Sequence, residues 1–339
     1  MSHQTIQDSP GRSQIIDPQS ADWQKFNQTS FSFKHSLDRN ELLDLPHLQR
    51  LARKMVRLHG PERVSCLVGN KGADANWSDW KSTSSELDYC FERINEPGQS
   101  YIIIKDVERD PEYASFLTQT LQEFSSLLAP ALYAQVTWPS AYLFIAAPGF
   151  FTPYHMDHET GVLLQIHGAK DLCLFDANDP SLLTQQERER YYMGNLDSAT
   201  YRSEMVDRAT VYRMSPGVGV HLPVNAPHWV RNLDSYSVSL SINFCLKAYD
   251  DYALVHQANY LLRRLGLSPR HPGASPVRDR AKKAAIALLS KRAPETKDEM
   301  LRSGVRRLNA VLTAGRRAAV SARTLVGGGG GGFARGSEL

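Results

Sequence analysis

The segment from Ser235 to Phe244, "SYSVSLSINF", alternates without a break. On a β-strand successive side chains point to opposite faces, so Tyr236, Val238, Leu240, Ile242 and Phe244 share one face. Ser235, Ser237, Ser239, Ser241 and Asn243 share the other. A helix would scatter both sets around its circumference. The chain must therefore build a sheet with one apolar face and one face of small polar groups, which either meets water or lines a polar cavity. Upstream, "AYLFIAAPGFFTPYHMD", "GVLLQIHGAKDLCLFD" and "ATVYRMSPG" are also strand-like, and "HWVRN" runs into the alternating segment. Gly, Pro, Asn and Asp separate them at the spacing of an antiparallel barrel or sandwich. "LTQQERERYYMGN" interrupts the series as a helical or loop insertion.

The flanks have a different texture. In "DRNELLDLPHLQRLARKMVRLHG", Leu48, Leu51, Met55 and Leu58 fall at helical spacing, with Gly60 as the C-cap. "RVSCLVG" and the β-branched "SYIIIKDV" read as strands. Asp110-Pro111 is expected to open a helix through "EYASFLTQTLQEFSSLL". After Asp251 helix returns in "YALVHQANYLLRRLG", in a segment capped at Ser275-Pro276, and in a third, basic stretch beginning "KDEMLRSGVRRLNAV". The expected organisation is a polar arm over 1–30 and a mixed α/β region over 31–129 packing on the core. A β core over 130–250 follows, then basic C-terminal helices over 251–326 and a glycine-rich disordered tail over 327–339.

Several function classes fall away. No run approaches the roughly 20 apolar residues of a membrane helix, and the polar opening "MSHQTIQDSPGRSQ" lacks the apolar core of a secretion signal. Cys66, Cys90, Cys173 and Cys245 are far apart, which suits neither a disulfide framework nor a thiolate zinc site; a cytoplasmic location is expected. The net charge of +3 conceals an asymmetry. From Ala253 onward there are 17 Lys and Arg against 5 Asp and Glu, while the first 252 residues carry 22 against 31. A basic end of this kind either contacts nucleic acid or is the solvated face of helices docked on an acidic body. No helix-turn-helix or finger spacing accompanies it, and its Ala- and Leu-rich faces suit a homodimer.

The chemistry concentrates in "TPYHMDHETGVLLQIHGAK", Thr152 to Lys170. His155 and Asp157, two apart, share a face of a strand. His228, in "PVNAPHWVRN", can supply a third ligand. Two imidazoles and one carboxylate form the facial set that suits non-haem iron(II) and leaves positions open, unlike a closed structural zinc site. His158 falls an odd number of residues from His155, on the opposite face, and His167 is set aside with it; His221 stays open as a competing ligand.

These residues resemble a known family. "TPYHMDHETGVLLQIHGAKDLCLF" is similar to the Thr-Pro-x-His-x-Asp segment of the JmjC or cupin-like 2-oxoglutarate oxygenases, and "SPGVGVHLPVNAPHWVRN" to their second ligand segment. The resemblance implies a double-stranded β-helix (jelly-roll) core with a helical N-terminal region and C-terminal helices. It implies His155, Asp157 and His228 as ligands of Fe(II). Lys170, fifteen residues after His155, would bind the distal carboxylate of 2-oxoglutarate; Thr152 would assist it, and Asn243 would sit near the cosubstrate. The activity implied is a hydroxylase using 2-oxoglutarate and O₂ on a small molecule or protein side chain that the sequence does not identify. The alternative is a metal-binding cupin-like regulator without turnover that contacts nucleic acid through the basic helices. Two positions depart from the family pattern: Val218 stands where an acid is usual, and Gly161 where some relatives carry Asn.

Overall fold

The computed structural model describes residues 14–288, with Lys297 and Glu299. The third basic helix and the glycine-rich tail fall essentially outside the described residues. The elements run β1 (Phe31–Lys34), α1 (Leu45–His59), β2 (Val64–Val68), α2 (Leu87–Glu92), β3 (Ser100–Ile104), α3 (Ala114–Leu127) and α4 (Pro130–Tyr133). Then come β4 (Val136–Ala146), β5 (Phe151–His155), β6 (Thr160–His167), β7 (Lys170–Leu174), α5 (Gln185–Tyr191), β8 (Thr210–Met214) and β9 (Val218–Leu222). β10 (His228–Asn232), β11 (Ser237–Leu246), α6 (Lys247–Arg264) and α7 (Pro276–Leu288) follow.

The strands form a seven-stranded sheet, β1-β9-β6-β11-β4-β3-β2, and a four-stranded sheet, β5-β10-β7-β8. Every ladder is antiparallel. Following the chain from β4 to β11, the strands alternate between the large and small sheets, except for the hairpin pair β7–β8. That alternation is a double-stranded β-helix, the jelly-roll arrangement expected of the core, and the extra strands β1, β2 and β3 extend only the larger sheet.

Two cores follow from the period-2 pattern. Val238, Leu240, Ile242 and Phe244 point out of the barrel and join Leu143, Ile145, Val162 and Leu164 against Leu48, Leu51 and Met55 of α1 and Phe124 of α3. Inside the barrel a smaller cluster of Leu163, Leu172, Leu174, Met214, Val220, Ala226 and Val230 holds the two sheets together. The serine face of β11 also points inward and is buried: Ser237, Ser239 and Ser241 are at most 7 % exposed. The face does not meet water. Gln165 donates to Ser237 Oγ at 3.1 Å and accepts from Ser239 Oγ at 2.7 Å, so these two serines satisfy a buried amide.

Helix α1 begins at Asp44, whose side chain accepts from His47 N, and ends at Gly60 with φ of 103°. Leu58 departs from expectation and is 57 % exposed. At about 100° per residue it falls roughly 70° off the stripe of Leu48, Leu51, Ala52 and Met55. At the β6–β7 turn, Gly168 has φ of +68°, and a Cβ there would lie 2.2 Å from Tyr236 O. Only glycine closes that turn.

The described residues divide into two compact units, one of residues up to 191 with 195–251, the other of 192–194 with residues from 252 on. In the second, Tyr192 stacks on His256 with ring centroids 5.1 Å apart. Ile286 of α7 packs with Ala258 of α6, and Asn259 Nδ2 donates to Arg270 O.

The expected polar arm is corrected from residue 14 onward. Ile15, Ile16, Trp23 and Phe26 are all buried, because their side chains close the outer core over β1, α3 and β11. Phe26 stacks on Phe244 at 5.9 Å and on His221 at 3.8 Å. Phe26→Ala therefore costs about 3–5 kcal/mol in urea unfolding, whereas in a solvated arm the change would be silent.

Candidate metal centre

The inner face of the small sheet can be read as three rungs, about 6.6 Å apart. His228 of β10 lies opposite His155 of β5 and Leu174 of β7. Val230 lies between Thr152 and Leu172, and Asn232 lies opposite Lys170. Since His228, Val230 and Asn232 are two apart, all three rungs face the barrel interior.

Thr152 and His155 are three apart and would oppose each other on a regular strand. The register between His228 and Val230 shifts by one residue, so three steps on β5 match two on β10. This bulge turns both side chains to the interior.

At the first rung, side chains converge. One donor atom each of His155, Asp157 and His228 lies within 4.8 Å of the other two. His155 Nε2 is 3.8 Å and His228 Nε2 3.9 Å from Asp157 Oδ2. His155 Nδ1 donates to Pro153 O at 2.7 Å, and His228 Nδ1 to Ala226 O at 3.0 Å. Each backbone carbonyl fixes the tautomer and leaves Nε2 with a free lone pair directed at the shared point. Burial and the neighbouring His155 lower the His228 pKa to about 4, with Asp157 opposing them, so its imidazole is neutral at physiological pH. The set is open on one side, Asp157 being 52 % exposed at its side chain.

The other histidines go elsewhere. His221 faces out of the barrel: it accepts from Asn27 N through Nε2 and donates to Gly161 O through Nδ1, both at 2.8 Å. It has no route to the cluster. His158 lies beyond the end of β5, with Nε2 2.8 Å from Asp250 Oδ1. His167 stacks on Tyr236 at 4.2 Å.

At the third rung, Lys170 is 4 % exposed. Its ammonium makes no hydrogen bond or ion pair with the described residues, and burial lowers its pKa from 10.5 to about 7. Beside it, Asn232 Oδ1 is buried and likewise without a partner among the described residues. Thr152, on the rung between, is 6 % exposed and shares a hydrogen bond with the buried Tyr101. Asn243 stands on the opposite wall, in the larger sheet, accepting from Ser241 Oγ at 2.8 Å. It faces Gly161, where a Cβ would lie 2.1 Å from Ile242 O and 3.0 Å from Asn243 Oδ1. The glycine departure thus makes room for this asparagine.

Three residues had escaped the sequence reading. Tyr101 comes from β3, where a tyrosine opening an apolar run reads as core; its ring stacks on Phe150 at 5.1 Å. Trp77 sits edge-on to His155 at 5.2 Å, its backbone N–H held by Asp197. Two tryptophans in the polar run "ADANWSDW" were the available signal. Asn232 carried none.

A bipartite arrangement results: a three-donor N₂O set, and two rungs deeper a buried lysine with no ion pair among the described residues. The donors fit a divalent transition metal; the first and third rungs are about 13 Å apart along the backbone, a gap that a small dicarboxylate and the inward-reaching Lys170 side chain would span together. No family profile and no curated protein matches the chain. Among solved structures it is similar to *Escherichia coli* YcfD, at 15 % identity over 80 % of this chain and 66 % of that one, with a TM-score of 0.44. YcfD, a ribosomal oxygenase, in complex with cobalt and 2-oxoglutarate gives 14 %, 81 %, 67 % and 0.46. The DMSP lyase DddQ of Ruegeria pomeroyi gives 15 % identity over 31 % of this chain and 38 % of that one, with a TM-score of 0.21. The chain thus spans about two thirds of YcfD, and the likeness is one of architecture.

The unpaired ammonium has a consequence for stability. Its pKa is lower folded than unfolded, so the charge opposes folding fully below pH 7, and the penalty fades as pH rises from 7 towards 10.5. Lys170→Met should stabilise the unliganded protein by on the order of 4 kcal/mol at pH 6. In urea titrations that gain shrinks by pH 10; a constant gain would contradict a buried, unpaired ammonium.

Proposed function

We propose that the protein is a 2-oxoglutarate- and iron(II)-dependent oxygenase, a hydroxylase. The observation that carries this reading is the pairing, inside one barrel, of a converged His155, Asp157 and His228 set with the unpartnered ammonium of Lys170. Iron(II) held there with 2-oxoglutarate would supply oxidative chemistry, O₂ converting the cosubstrate to succinate and CO₂ while one oxygen enters a C–H bond of the substrate.

The chain's own residues have separable tasks. His155 and His228 present Nε2 and Asp157 presents a carboxylate, leaving one side open for cosubstrate and O₂. Lys170 holds the far carboxylate by a charge-assisted bond. The Thr152 hydroxyl, oriented by Tyr101, donates to the same group. Leu172 and Val230 wall the passage and exclude water, which strengthens the ion pair at its end. Asn243 lies across the barrel from these groups, placed to contact the cosubstrate. Trp77, beside His155, forms part of the wall a substrate would pass. The substrate class stays a small molecule or a protein side chain.

Incubated with Fe(II), 2-oxoglutarate and O₂, the purified protein releases succinate, slowly where substrate is absent. His155→Ala and Asp157→Ala lower that rate by at least about 100-fold; equal rates in wild type and variants would rule out this centre. Lys170→Met raises KM for 2-oxoglutarate far more than it changes kcat at saturation.

The same reading keeps the homodimer. Leu265, Leu267, Val277 and Leu288, in the C-terminal unit, are 55–88 % exposed and would supply the apolar contacts of a dimer. Changing all four to Ser yields monomer on sizing if they form the interface, and leaves the elution position unaltered if they do not.

A further inference from the structure

We propose that Asn225 is a positioning residue for the metal centre, a role that rests on the oxygenase reading above. Asp157 poses a mechanical difficulty. Its carboxylate is half-exposed and lies beyond the end of β5, outside any strand ladder. A ligand on such a loop swings unless its backbone is fixed.

Asn225 fixes it twice. Its backbone N–H and its side-chain Nδ2 both donate to Asp157 O, each at 3.0 Å. The double contact requires an unusual backbone: Asn225 has φ of 58°, the left-handed region that asparagine enters more readily than other non-glycine residues. The side chain is 6 % exposed, so water does not compete for the carbonyl.

The next residue completes the device. Ala226 O accepts from His228 Nδ1 at 3.0 Å and so sets that imidazole's orientation. One short turn therefore positions two candidate ligands, Asp157 beyond β5 through its backbone and His228 of β10 through its ring. The turn is itself anchored, since Val224 N donates to Asn27 Oδ1 at 2.9 Å.

A second strut holds the far side of the Asp157 loop. His158 Nε2 meets Asp250 Oδ1 at 2.8 Å, and Asp250 Oδ2 accepts from Thr137 Oγ1 at 2.8 Å. The backbone N–H of His158 donates to Tyr191 OH. With one side of the loop pinned this way, the two Asn225 contacts hold the Asp157 end.

Cobalt(II) titration of the full chain, followed by d–d absorption, tests the proposal without turnover. Asn225→Gly keeps the positive φ and the backbone donor and removes the whole side chain, the Nδ2 contact with it. Asn225→Asp keeps the shape and sets a carboxylate against the carbonyl. Both should bind cobalt(II) about 10- to 100-fold more weakly than wild type, the usual cost of losing a group that orients a ligand. Thermal unfolding of the metal-free variants should stay within a few degrees of wild type, and KM for 2-oxoglutarate at saturating iron should be unchanged. Cobalt(II) affinity within twofold of wild type in both variants overturns the assignment. A wild-type cobalt spectrum indifferent to His155→Ala overturns the metal centre itself, and this inference with it.

Discussion

The arrangement depends on the backbone pairing of β5 with β10. An antiparallel ladder sets residues opposite one another at fixed spacing, so a single register choice brings His155 across from His228. A slip by one residue would turn one imidazole out of the barrel. The bulge beside that pair adds the second requirement, since only the extra residue lets Thr152 share the face of His155. One local irregularity thus links the metal rung to the hydroxyl of the next rung, and through Val230 and Leu172 to the strand that bears Lys170.

The barrel interior is polar by arrangement, and its polar groups fall into two kinds. Ser237, Ser239 and Gln165 satisfy one another, forming a closed network that stiffens the end of the barrel. Lys170 and Asn232 are not satisfied by the described residues. A buried ammonium without a counter-ion costs far more than an unmade neutral hydrogen bond, so the two kinds cannot both be structural. The first holds the fold. The second works against it, through the buried charge of the ammonium.

Legibility followed the range of the interactions. His155 and Asp157 could be read as a pair because strand periodicity is local: i and i+2 share a face, and the alternating β11 announced a two-faced sheet; His228 was a third donor on a later strand, and Lys170 came from the family resemblance. Thr152 was readable only by resemblance, since period 2 puts it on the wrong face and the bulge that rescues it leaves no mark in the sequence. The serine face was recognised as polar, but neither its inward direction nor its partner Gln165 could be read from it, because a contact across 74 residues has no local signature. The segment 14–30 was misjudged for a related reason. Its apolar residues, Ile15, Ile16, Trp23 and Phe26, are too few and too irregular to form a periodic pattern, and they are buried because other elements leave a gap of their shape.

His221 shows how a residue can look like a ligand and serve the site from outside. It sits on β9, whose Val220 points into the barrel, so its own ring must point out. There, burial lowers its pKa to about 3 and keeps it neutral, with one nitrogen donating to Gly161 O and the other accepting from Asn27 N. Asn27, with φ of 56°, passes the constraint on to Val224, and Val224 precedes the residue that holds Asp157. The outward face of the large sheet and the N-terminal segment are therefore mechanically continuous with the metal turn. A protonated His221 would lose the acceptor that Asn27 needs, so the same burial that disqualifies this histidine as a ligand maintains the support on which the true cluster rests.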